Sequence, residues 1–250
     1  MSLAASAVGV FLIDKPVGVT SFAVVQKLRR LLEIKKVGHA GTLDPFASGL
    51  LILCAGREAT KHIDAFMTGR KTYQAVLQLG QETETLDPEG RVTAVRPVPE
   101  LISEDIVALL PEFVGPQLQA PPAYSAAKHQ GKPLYHYARQ GIMIEKAAKP
   151  IEIYSLDLNG YDANTARLSF TVSCSRGTYI RVLAADIGRK IGCGAHLTDL
   201  RRTRSGGFAV EEAFDGGLLF FSEGITQTAL LAGMLTVEQA LAATKEETLK

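Results

Sequence analysis

The 250-residue chain has a formal net charge of only +1 and just three cysteines. Near-neutrality removes any argument from overall charge for a nucleic-acid or membrane partner. Cys54, Cys174 and Cys193 have neither disulfide nor metal-ligand spacing. Two of them stand in apolar runs and read as small core residues of a reducing compartment. The histidines, His39, His62, His129, His136 and His196, lack zinc spacing. No apolar run is long enough for a membrane span, and the start, MSLAASAVGVFLIDK, lacks the basic region of a signal peptide. There is no G-x-G-x-x-G, no serine-hydrolase elbow and no internal repeat. Gly69-Arg70-Lys71-Thr72 resembles the end of a phosphate-binding loop, but Asp64 stands where its first glycine belongs. These absences predict a cytoplasmic protein.

What is present is ordinary in amount, 46% hydrophobic and 21% charged, so a sizeable core can form and the placement of charge carries the information. Between Phe113 and Ile144 the charged residues are Lys128, Lys132 and Arg139, with no acid. From Ala166 to Arg204 eight basic residues face only Asp186 and Asp199. Acid collects at Glu82, Glu84, Asp87 and Glu89 and in the tail after Ser205. Such segregation suits a polyanion on one face.

Hydrophobic spacing predicts a strand over Val8–Ile13 and a helix capped by Thr20 or Ser21 and running through Glu33, with Val24, Val25, Leu28, Leu31 and Leu32 on one face. A short helix is expected around Thr60–Met67, an alternating strand over Lys71–Leu79, and a return strand from Gly90 to Arg96 after an acidic loop. A helix follows over Ser103–Leu110. The segment Gly115–Gly141, rich in proline, glutamine and tyrosine, reads as a basic projecting insertion with a helix over Pro133–Gln140 stopped by Gly141. Bases interleaved with aromatics suit looped RNA, although a plain surface loop has the same composition. Two strands, Ile151–Leu158 and Ala166–Cys174, then a helix to Ile191, a basic extended segment over His196–Ser205 and a short helix near Val237–Ala242 complete the order. Strands and helices without regular alternation predict an α+β fold on a mixed, mainly antiparallel central sheet.

One stretch organises the rest. Val37–Gly56 reads as a loop, His39-Ala40-Gly41-Thr42-Leu43-Asp44-Pro45, feeding a strand, Leu50–Ala55, buried on both faces. Pro45 fixes its own φ and drives Asp44 out of the helical region. A carboxylate is thereby held on a rigid turn beside the core; the same Asp-Pro pair also serves as a plain turn initiator.

Five stretches together carry a resemblance. They are Val10–Ser21 (VFLIDKPVGVTS), Gly38–Pro45 (GHAGTLDP), Pro121–Ala126 (PPAYSA) with Gly131-Lys132 and Leu134-Tyr135, Cys174–Arg181 (CSRGTYIR), and His196-Leu197 with Leu200–Thr203 (LRRT). In this order they closely resemble the TruB-type tRNA pseudouridine synthases, and the likeness spans about Gly9–Gly206. It implies a pseudouridine synthase fold over residues 1–206, with an RNA-binding insertion at about 115–141. The implied activity is isomerisation of uridine 55 in the tRNA T-loop, without cofactor, metal or guide RNA, by a monomer. Asp44 matches the catalytic carboxylate, compatible with attack on the sugar, attack on the base or removal of a sugar proton. Arg181 matches its partner arginine, and Tyr73 the tyrosine stacking on the target base. His39 matches the residue that fills the space the base vacates; Tyr179 and Leu200 match the lining of the uracil pocket. Thr42, Lys61, Lys128, Lys132, Arg139 and Arg202 are the implied RNA contacts, while Lys15, Pro16, Gly41 and Pro45 support the loop. Residues 207–250, acidic overall, are expected to be a short extension without the PUA-type domain many members carry. Rival readings are a non-catalytic tRNA-binding or folding factor, a guide-RNA-dependent synthase, and a carboxylate-based hydrolase of small molecules.

Overall fold

The computed structural model describes residues 7–222 and 226–246. The extreme N-terminus and the tail charges Glu223, Glu247 and Lys250 fall outside them. The chain divides into two compact units, residues 1–73 with 201–250, and residues 74–200. The described part of 207–250 thus belongs with the N-terminal residues.

In the first unit the apolar run forms the strand Ser48–Ala55, where every residue from Leu50 to Ala55 has 0% exposure. On one side it pairs antiparallel with Gly9–Lys15, Leu12 opposite Ile52. On the other it pairs antiparallel with Val37–Ala40, and parallel with the strand Ala195–Ser205 at Ser48 opposite Arg201. Strand alternation sends Phe11, Ile13, Leu51 and Leu53 to one face and Val10, Leu12, Leu50, Ile52 and Cys54 to the other. The first face is covered by the helix Ser21–Leu32 through Val24, Val25, Leu28 and Leu32. Thr20 caps that helix, its hydroxyl accepting from the Ala23 N–H at 3.0 Å. The second face is covered by Phe66, Phe208 and Ala240, the last from the helix Val237–Glu246. Each such Leu or Phe contributes about 1.5–3 kcal/mol by leaving water. The helix expected around Thr60–Met67 is two short ones, Arg57–Thr60 and Ile63–Met67, parted at His62 with its backbone at φ −102°, ψ 7°.

The strand Lys71–Leu79, which belongs to the second unit from Gln74 on, and that unit's strands Arg167–Cys174, Lys149–Asp162 and Gly115–Gln119 lie side by side in that order. The helix Ile180–Ile191 follows the second of them in sequence and buries Ile180, Leu183, Ala184 and Ile187. Antiparallel pairing prevails in the molecule, with parallel ladders at Gly9–Lys15/Phe214–Asp215 and at Ser48–Ala55/Ala195–Ser205. The arrangement is the α+β, mixed and mainly antiparallel one that the sequence predicts.

One expectation is corrected. Residues 115–119 do not start a projecting insertion; they are a strand, Ile153 opposite Gly115. Pro116, which lacks an N–H, is tolerated because this strand ends the sheet order. Past Tyr124 the segment folds into a hairpin, Lys128–His129 against Lys132–Pro133, and a helix, Leu134–Ala138. The turn residues Gln130 and Gly131 both have positive φ, 48° and 82°, the two-residue form that matches strand twist. No helix among the described residues is long and apolar enough to cross a membrane.

Candidate active site

The loop from Gly41 to Ala47 leaves Val37–Ala40 and enters Ser48–Ala55. Gly41 sits at φ 91°, where a side chain would be strained. Ser21, 2% exposed, secures the centre: its hydroxyl accepts from Leu43 N–H at 2.9 Å and donates to Leu43 C=O at 3.0 Å. Thr20 already caps the helix, which leaves the Ser21 hydroxyl to the loop. Pro45 C=O accepts from Gly18 N–H at 2.8 Å and from Lys15 Nζ at 3.3 Å. Lys15, 0% exposed, also donates to Pro16 C=O at 2.9 Å and Val19 C=O at 2.7 Å. Ala47 N–H closes the turn on Asp44 C=O at 3.1 Å. The backbone on both sides of Asp44 is therefore fixed by hydrogen bonds, and Leu43 and Phe46 anchor it in the core at 4% and 8% exposure. Asp44 itself is half-buried and Thr42 exposed.

Arg202 braces the same loop from inside. It is 2% exposed, donating from Nε to Leu50 C=O at 2.7 Å and from Nη2 to Gly41 C=O at 3.1 Å. The expected RNA contact is thus corrected, because a guanidinium this enclosed does not meet a phosphate. His39, half-buried on the adjoining strand, has Nδ1 buried without a hydrogen-bond partner. Burial, and secondarily the charge of Arg202, hold its pKa below the ordinary 6.5, so the ring is neutral at pH 7. Tyr73 is half-buried on its strand, and Lys61 is exposed and ion-paired with Glu58.

Arg181, in the first turn of Ile180–Ile191, is the best-enclosed guanidinium of the second unit, its side chain 4% exposed. Nη1 donates to Thr85 C=O at 2.7 Å and lies 3.2 Å from Asp87 Oδ2; Nη2 donates to Tyr124 C=O at 2.7 Å. Asp87, also 4% exposed, accepts from Glu89 N–H at 3.0 Å and from the Thr85 hydroxyl. The acidic stretch read as a turn-rich loop is thus wrapped around Arg181, with Leu86 at φ 63°. Tyr124 OH donates to Glu84 at 3.0 Å, and burial with the Glu84 carboxylate raises its pKa. Tyr179 is half-buried and Leu200 8% exposed. Gln119 clamps Tyr179: Oε1 accepts from Tyr179 N–H at 2.7 Å and Nε2 donates to Tyr179 C=O at 3.1 Å.

Lys128, Lys132 and Arg139 are all exposed on the hairpin and helix, Arg139 over the Tyr135 ring at 5.4 Å from its centroid. Sequence reasoning missed Ser21 as a loop anchor, and also Asp87, Thr85 and Gln119. Serine beside the cap was visible, but the partners of the other three are remote in sequence. Among the described residues no group of three or more His, Cys, Asp or Glu is placed to hold a metal ion.

Comparison with known proteins places these features in a family. Residues 29–180 match the model of the TruB family pseudouridylate synthase N-terminal domain, and residues 181–242 that of the tRNA pseudouridylate synthase B C-terminal domain. A tRNA pseudouridine synthase B from Desulfotalea psychrophila is 58% identical over 208 residues, 82% of this chain and 85% of that protein. One from Thiobacillus denitrificans is 54% identical over 205 residues, 82% of this chain and 67% of its own length. Among solved structures, a chain of a Cbf5-Nop10-Gar1 complex has TM-score 0.71 and 28% identity, covering 95% of this chain and 63% of that chain. With one family model spanning residues 29–180 and a relative this similar over most of both lengths, the chain belongs to the TruB family of pseudouridylate synthases.

Proposed function

We propose that the chain isomerises uridine 55 in the T-loop of tRNA to pseudouridine, as a cytoplasmic monomer needing no metal, nucleotide or guide RNA. The observation that carries the reading is the Asp44 loop. A carboxylate on a turn fixed through Ser21, Lys15 and Gly18 reaches a reacting nucleotide with little reorganisation. In the reaction the C1′–N1 bond breaks, the base turns, C5 bonds to C1′, the C5 proton leaves and N1 takes one up. Asp44 is the catalytic carboxylate and Arg181 the residue that favours its ionised form. Tyr73 stacks on the extruded base, worth roughly 1–3 kcal/mol against a flipping cost of a few kcal/mol. A neutral His39 suits insertion into the stack the base leaves, since no charge has to be desolvated there. Tyr179 and Leu200 line the uracil pocket. Lys128, Lys132 and Arg139, exposed and without a nearby acid in sequence, take the RNA backbone.

The rival reading is a guide-RNA-dependent synthase. The 58% identity to a tRNA pseudouridine synthase B favours independence from a guide. The deciding experiment incubates the purified chain alone with tRNA transcript carrying tritium at uridine C5, beside Asp44→Asn. Tritium release by wild type alone, mapped to the T-loop, is expected. Binding without release would instead favour an RNA-binding factor or a guide-dependent synthase.

A further inference from the structure

Tyr179 begins the helix Ile180–Ile191, yet that helix start has no side-chain cap of its own. A residue at this position has a backbone N–H that the helix does not satisfy. Here the N–H donates to Gln119 Oε1 at 2.7 Å, while Tyr179 C=O accepts from Gln119 Nε2 at 3.1 Å and from the N–H groups of Val182 at 3.1 Å and Leu183 at 3.2 Å. Gln119 is 6% exposed and comes from the strand Gly115–Gln119, so it reaches the turn from a rigid element. The turn is fixed at its other end too, where Ser175 N–H donates to Glu152 C=O at 2.8 Å and Glu152 N–H to Ser175 Oγ at 2.9 Å. The chain leaving Gln119 returns to the same turn. Pro121 and Pro122 stiffen it, and Tyr124 C=O then accepts from Arg181 Nη2 at 2.7 Å. The stretch 119–124 is therefore a strut tied to the turn at Tyr179 and at Arg181, and the basic hairpin and helix grow from its far end.

We infer that Gln119 is a positioning residue for pseudouridine formation, its carboxamide setting Tyr179 and the adjacent Arg181 in their productive placement. The inference rests on the function proposed above. The Gln119 carboxamide hydrogen-bonds the Tyr179 backbone, so its loss acts on the rate of the chemical step more than on capture of tRNA. Displacing reacting groups by about an ångström costs up to ~100-fold in rate.

Gln119→Met keeps the bulk and removes both bonds. Gln119→Glu as a carboxylate keeps the acceptor for Tyr179 N–H but sets a second oxygen against Tyr179 C=O. When protonated, the same side chain regains one acceptor and one donor, the pattern of glutamine. The test measures single-turnover tritium release at saturating tRNA, tRNA affinity and thermal stability across pH 6 to 8. For Gln119→Met a rate loss of about tenfold or more at every pH is expected, with affinity within about twofold of wild type. Gln119→Glu, ionised at pH 8, should match that loss there. Rates of both variants within twofold of wild type would overturn the inference. So would rate and affinity falling together in step with stability. A wild type that releases no tritium is a different result, since it removes the function reading itself.

Discussion

Replacing Ser21 by alanine should separate loop geometry from helix stability. The Ser21 hydroxyl makes two buried hydrogen bonds to Leu43, at 2.9 and 3.0 Å, and none of the helix capping. At about 1 kcal/mol each these contribute about 2 kcal/mol, and alanine returns about 0.5 kcal/mol through helix propensity. The least expected cost is then about 1.5 kcal/mol, if water reaches the freed groups. Leu43 is only 4% exposed, so its N–H and C=O have poor access to water. A stranded buried polar group costs about 1–3 kcal/mol, which lifts the expected loss to about 3 kcal/mol. The neighbouring Thr20→Ala is the control. It removes the helix cap, costs about 1 kcal/mol, and leaves the loop bonds in place. Urea unfolding gives the two stabilities, and single-turnover tritium release gives the chemistry. Ser21→Ala should lose at least tenfold in rate because the residue before Asp44 is released, whereas Thr20→Ala should keep its rate. Equal rates in the two variants, despite the larger destabilisation of Ser21→Ala, would refute the idea that Ser21 presents the carboxylate.

Two further outcomes follow from the charges. Asp87→Asn removes a buried opposite charge 3.2 Å from Arg181 and should cost on the order of 3 kcal/mol in urea unfolding; a change under about 1 kcal/mol would contradict the pair's role. His39 has a folded pKa depressed below 6.5, so the unfolded chain binds a proton more readily, and stability rises with pH across the window between the two values. Falling pH should therefore begin to weaken the fold as it passes 6.5, with the loss levelling off once below the folded pKa, and His39→Gln should flatten that segment of the stability curve.

The fold was legible wherever one short window decided the outcome. Six consecutive apolar residues, Leu50–Ala55, read as a strand covered on both sides, and they form one. The helix Ser21–Leu32 was visible because its apolar spacing and its cap lie in one stretch. The strand Gly115–Gln119 was missed because glycine, proline and two glutamines carry no alternating pattern. Its place is decided by Lys149–Asp162, a partner whose register no local window contains.

The same division runs through the site. The residues proposed to carry the chemistry were named through the resemblance: Asp44 before a proline, Arg181 after Gly-Thr-Tyr. Of the groups that hold them, Lys15 could be named, but Ser21, Gln119 and Thr85 could not, because each is distant in sequence from what it supports. Ser21 reaches Leu43 across 22 positions, Gln119 reaches Tyr179 across 60, and Arg181 reaches Thr85 across 96. Such supports have little local signature: a serine beside a helix cap, a glutamine ending a plain strand and a threonine in an acidic loop are all common. The reverse error has the same cause. Arg202 sits in a basic run and reads as a polyanion contact, yet only the fold decides that Leu50 and Gly41 claim its guanidinium. Charge composition therefore identifies candidates for RNA contact, and enclosure selects among them. Lys128, Lys132 and Arg139 pass that selection and Arg202 does not. Removing any one of the first three should weaken tRNA binding and lessen its salt dependence while leaving the fold intact, since no buried bond depends on them.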